Sequence, residues 1–150
     1  MRAWRAFFVV GWVVLVGGVG LAGYLYMSRF RFGDGLTAEF KPTPDKMVSV
    51  LRDFTTLFAV LLAFQSAAFF GVLSLTAKQP SARVLYLGLA SLLVFFMGLF
   101  WTLTDIAVGM IGGVSLPSWH VSTLMMLLTL GTALTLFLVG EVVRNSSASR

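Results

Sequence analysis

Four stretches of this chain, about 6–28, 54–77, 84–107 and 119–141, run almost without charge. At 1.5 Å of rise per helical residue, each is long enough to cross the roughly 30 Å hydrocarbon core of a bilayer. No other feature narrows the fold as much. Inside hydrocarbon, every backbone polar group must find its partner within the protein, so an uninterrupted apolar run of this length predicts a helix. The expected fold class is therefore all-α integral membrane: a four-transmembrane-helix bundle with a long loop between helices 1 and 2. Hydrophobic residues make up 58% of the chain and charged residues 11%. A soluble domain would carry about 25% charged residues. With 150 residues and four spans, the chain reads as a single membrane domain over 1–150 with little mass left for a soluble module.

Local punctuation sets the boundaries. The "MRAWR" start followed by an apolar stretch looks like a secretory leader, but the stretch exceeds the 7–15 residues of a typical leader core, so a retained first helix is expected. The loop that follows has a turn signal at Gly33-Asp34-Gly35 and an alternation Arg29, Phe30, Arg31, Phe32 suited to a headgroup boundary. Thr43, Pro44 and Asp45 match an N-cap, a first-turn proline and an acid at the positive end of the dipole, which predicts that the second helix starts before the membrane core. "KQPSAR" at 78–83 is a turn between antiparallel neighbours, and a Gly-Gly break with Pro117 separates the third span from the fourth.

Charge placement bears on sidedness. One face would carry Arg2, Arg5, Lys78, Arg83, Arg144 and Arg150, against Arg29, Arg31, Lys41, Lys46 and Arg52 on the other. By the positive-inside rule this small excess favours cytoplasmic termini in a multi-pass protein of the cell (inner or plasma) membrane. The net charge of +5 is spread through termini and loops, with no basic run of the kind that binds nucleic acid, and points instead to anionic lipid headgroups. There is no cysteine, which excludes disulfides, thiolate metal sites and thiol redox chemistry.

Within the second span every fourth residue is small: Thr55, Ala59, Ala63, Ala67 and Gly71. Helices in lipid gain little from hydrophobic association, so they rely on close packing, which small residues permit. The stripe is expected to be a helix-packing seam. Gly11, Gly18 and Ala22 in helix 1, and Gly131, Thr132 and Thr135 in helix 4, offer matching seams. Such seams either build the internal bundle or leave one face for another subunit.

Polar groups are sparse. Chain order puts Asp53, Asp105 and His120 on one side of the membrane, as a candidate polar cluster that could hold a proton or a divalent ion. The plainer roles are a boundary acid for Asp105 and an interfacial anchor for His120 beside Trp119. Gly88, Ser91, Gly98, Thr102 and Asp105 fall on one arc of helix 3, so Asp105 is expected to point inward. Gln65, Ser66 and Thr102 are the candidates for a pore lining, although neutral groups of this kind more often bond neighbouring helices. One histidine cannot supply a bis-histidine haem, and no H-E-x-x-H metal motif is present. A haem, quinone, pigment or metal shared with a partner is left open.

The expectation that combines these observations is a small polytopic, non-catalytic accessory or structural subunit of a larger membrane complex (respiratory, photosynthetic or transport). Its partners would be the lipid bilayer and other membrane subunits, or further copies of itself. The rivals are a self-associating channel or small-solute transporter, and a small membrane enzyme or cofactor binder using Asp53, Asp105 and His120.

Overall fold

A computed structural model describes residues 2–31, 44–75, 81–112 and 118–148, apart from side chains at the outermost helix ends, among them that of His120. The Gly33-Asp34-Gly35 turn, Phe32, Thr43, Lys78 to Pro80 and Pro117 lie outside the described residues. Four helices account for the rest: α1 (Arg2–Arg31), α2 (Pro44–Leu75), α3 (Ala82–Gly112) and α4 (Ser118–Ala148). Each contains a stretch apolar and long enough to cross a membrane, namely Ala3–Tyr24, Val48–Ser74, Ala82–Val108 and Val121–Ser147. The protein is an all-helical membrane protein. At 30 to 32 residues the helices measure about 45 Å, enough for the hydrocarbon and the headgroup layers on both sides.

Two helix starts show their chemistry. Pro44 is the first residue of α2, where its missing N–H costs nothing and its fixed φ suits the helix. Ser81 caps α3: its Oγ accepts from the Val84 N–H at 3.4 Å, and its carbonyl accepts from the Leu85 N–H at 3.2 Å.

The neighbours run in the order α1, α4, α3, α2. Helix α1 packs on α4, α4 on α3 and α3 on α2; α2 only brushes α4, and α1 and α2 do not touch among the described residues. The bundle is therefore open between its first two helices, which form its edges. Helix α3 shows why it sits in the middle. Its buried positions are Val84, Gly88, Ser91, Phe95, Gly98, Thr102 and Asp105, alternating four and three apart, which is the 3.5-residue repeat of a left-handed supercoil. Helix α2 answers with Leu51, Phe58, Gln65 and Phe69, and α4 with Leu124, Gly131 and Leu138.

The seams are closed by aromatic rings seated in glycine notches. A Cβ built on Gly98 would enter the ring of Phe58, and one on Gly88 the ring of Phe69. Phe95 fills the space over Gly131 across α3 and α4; Phe137 fills that over Gly11, and Phe8 that over Gly140, across α4 and α1. Phe8 and Phe137 also stack, with ring centroids 5.4 Å apart. Since lipid tails are as apolar as the rings, these contacts stabilise through packing density and not through exclusion of water. On the outside, Val13, Val16, Phe64, Phe70, Tyr86 and Phe100 face the lipid.

Candidate functional site

The buried polar groups lie along the middle of this arrangement. At the centre of the α2–α3 seam, Gln65 Nε2 donates to Ser91 Oγ at 2.7 Å, with both residues essentially inaccessible. Ser91 Oγ in turn donates to the Gly88 carbonyl at 2.9 Å. The notch at Gly88, which admits Phe69, thus lies one turn from the Gln65–Ser91 bond. Gln65 Oε1 and, on α4, Ser122 Oγ are buried without a hydrogen-bond partner among the described residues.

Other hydroxyls turn back onto their own helices, as expected where there is no water to serve them. Thr102 is fully buried and donates to the Leu99 carbonyl at 2.9 Å, while Ser66 donates to Leu62 at 2.7 Å. Thr55 donates to Leu51 at 2.8 Å, Thr132 to Leu128 at 2.8 Å and Thr135 to Gly131 at 2.9 Å. Of the three residues considered for a pore, Gln65 and Thr102 are enclosed within the chain, and Ser66 is half-buried at the edge of that seam.

The three same-side polar residues have different settings. Asp105 is buried at the end of the α3 seam, next to a shallow hollow of about 260 Å³ lined by Met97, Phe100, Trp101, Thr104 and Asp105 itself. All of these described lining residues belong to α3. Asp53 is exposed on α2, and His120 stands in the first turn of α4 with its side chain outside the described residues. Among the described residues, no group of three or more metal-binding side chains gathers.

The small residues divide sharply. Gly11 and Ala22 on α1 are buried, Gly18 meets the Thr129 side chain of α4, and Gly131 receives Phe95. Thr132 and Thr135 are half-buried. On α2, by contrast, Ala59, Ala63 and Ala67 are exposed, Thr55 is half-buried, and a Cβ on Gly71 would meet nothing within 4 Å. Among the described residues, no helix wraps that stripe. The physical reason is that Phe58 and Phe69 have glycine notches to enter on α3, and seating them turns the alanines outward beside the exposed Val60, Phe64 and Phe70.

One polar constellation is not evident from the sequence. Glu141 near the end of α4 is buried, with Arg144 Nη2 2.6 Å from Oε2 and Arg83 Nη1, from the start of α3, 3.9 Å from Oε1. Asn145 Nδ2 donates to Ser81 Oγ at 3.3 Å, a second tie between the same helix ends. The available signal was an acid three residues before an arginine at the close of a span, which reads equally well as a simple boundary. Comparison with family models, with curated proteins and with solved structures finds no match to this chain.

Proposed function

We propose that this protein is a non-catalytic subunit of a larger membrane assembly and that the outward face of α2 is where a neighbouring membrane subunit packs. The observation that carries this reading is the surplus seam: the small residues of α1 and α4 meet partners inside the chain, while Ala59, Ala63 and Ala67 stand exposed. A helix that meets only lipid has no use for a smooth stripe, because lipid conforms to bulky side chains equally well; a second helix does. The open edge between α1 and α2 leaves room for that neighbour.

The test is purification of a tagged chain in mild detergent from its native membrane, followed by native mass determination and identification of co-purifying chains. Stoichiometric different subunits support the proposal. A clean homo-oligomer or a monomer overturns it and turns attention to the self-associating channel, for which solute flux in vesicles is the assay.

A further inference from the structure

The charges of this chain are unequally divided between its two ends. By chain order, the face that carries the termini and the α2–α3 turn holds Arg2, Arg5, Lys78, Arg83, Arg144 and Arg150, with Glu141 as its sole acid. The opposite face holds Arg29, Arg31, Lys41, Lys46 and Arg52, matched by Asp34, Glu39, Asp45, Asp53 and Asp105. The whole formal charge of +5 therefore belongs to one face. Moreover, the one acid there is withdrawn: the Glu141 side chain is 6% exposed, whereas those of Arg83 and Arg144 are 72% and 42% exposed. What that face presents outward is cationic.

Glu141 also gathers the cations. Its two oxygens draw a guanidinium from the start of α3 and another from the end of α4 to a single point, and the Asn145–Ser81 bond keeps those helix ends together. Arg144 reaches the carboxylate with one nitrogen at 2.6 Å and Arg83 stands 3.9 Å away, so one carboxylate engages only part of the donors of two guanidinium forks. Two forks against one carboxylate leave a surplus positive charge on side chains that are 72% and 42% exposed. Arg83 stands at the first turn of the Ala82–Val108 span and Arg144 near the end of the Val121–Ser147 span, and the ends of membrane spans are where headgroup phosphates are met. Helix α1 reaches the same end, where Phe8 fills the notch at Gly140 and Arg5 lies 5.6 Å from the Trp4 ring, an arrangement suited to the interface.

We propose that Arg83 and Arg144, held together by the buried Glu141, bind the phosphate of an anionic lipid headgroup, with Glu141 as a positioning residue. Guanidinium forks match phosphate oxygens in pairs, which an ammonium does not. The assignment is independent of what packs on α2. It also fits cytoplasmic termini, since the cytoplasmic leaflet is the one rich in anionic lipid.

The experiment incubates the full chain in detergent with equal amounts of phosphatidylglycerol and phosphatidylcholine and counts retained lipids by native mass spectrometry. Preferential retention of phosphatidylglycerol is expected, falling about fivefold for each of Arg83→Gln and Arg144→Gln, the weight of one basic residue near an anionic surface. Equal retention of the two lipids, or full preference in the double variant, overturns the proposal. The paired Arg83→Lys and Arg144→Lys variant keeps the charge and changes only exposed side chains; it is expected to lose most of the preference, and wild-type retention would reduce the site to general attraction. Glu141→Gln separates the two accounts again, because general attraction predicts stronger retention once the acid is gone and a gathered pair predicts weaker. Inorganic phosphate is added to protein in phosphatidylcholine vesicles as the remaining arm. Thermal protection by phosphate that phosphatidylglycerol cannot match would assign the site to the free anion and overturn the lipid reading.

Discussion

The two faces of α2 are built on opposite rules. Its inner face presents Leu51, Phe58, Gln65 and Phe69, large side chains that enter notches or bond across the seam, and all are buried. Its outer surface carries the stripe Ala59, Ala63 and Ala67 between exposed Val60, Phe64 and Phe70, with no helix against the stripe among the described residues. Both patterns can bring helices together, but by different means. A ring in a glycine notch fixes register at one point, whereas a smooth alanine face allows close approach along a length. The inner face is committed to α3, and the outer one is where the proposed neighbour would pack.

The largest effect expected within the chain comes from filling a notch. Gly98→Val puts methyl groups where Phe58 lies, and the ring must leave its seat. Overpacking of this kind costs about 1–3 kcal/mol, with this site near the upper end because Phe58 is fully buried. Unfolding of purified protein in mixed micelles measures it. If Gly98→Val and Ala63→Val cost the same, the two faces do not differ as described. Gly11→Val makes the parallel test on the other seam, where Phe137 is displaced. Because α1 is held by α4 alone among the described residues, the expected outcome is local: α1 loosens while α2, α3 and α4 stay packed. The chain has no cysteine, so a disulfide between introduced pairs on α1 and α4 reports that loosening directly, and undiminished cross-linking would count against it.

A smaller effect is expected at the polar centre. Gln65→Leu removes the bond to Ser91, a contact worth about 0.6 kcal/mol and at most about 1.7 kcal/mol between membrane helices. It also removes Oε1, which lacks a partner among the described residues, so the net loss should lie at the low end. Unfolding in micelles again measures it. A cost well above that range would mean that Gln65 organises more of the seam than its one bond to Ser91.

The fold was legible because hydrocarbon leaves few options: charge-poor runs of sufficient length had to be helices, and Pro44 marks where the second begins. The inward strip of α3 was also readable, since Gly88, Ser91, Gly98, Thr102 and Asp105 share one arc and all are buried. Which face of α2 turns inward was not. Small residues and large ones both mark packing seams, and only the partner surface decides; the glycines that settle it, Gly88 and Gly98, lie far along the chain on α3. The Glu141 cluster escaped for a similar reason. Arg83 and Arg144 are distant in sequence, and each alone looks like an ordinary residue at the end of a span.

The smallest effect on the chain itself should come from Ala63→Leu, and that is what makes it the most discriminating substitution. Ala63 is exposed with no neighbouring helix among the described residues, and leucine is as good a helix former as most residues, so stability in micelles should stay within about 0.5 kcal/mol of the original. Against a neighbour seated on the alanine face, the added isobutyl group would hold the two backbones apart and remove close contacts along the whole stripe. If the proposed subunit role holds, the expected result is an intact chain that no longer co-purifies with the neighbouring subunit. Retained co-purification would show that the partner sits elsewhere, with the α1 edge next in line. Lost stability would show instead that the outer face is already covered by this chain, and the contrast between the two faces of α2 would fall with it.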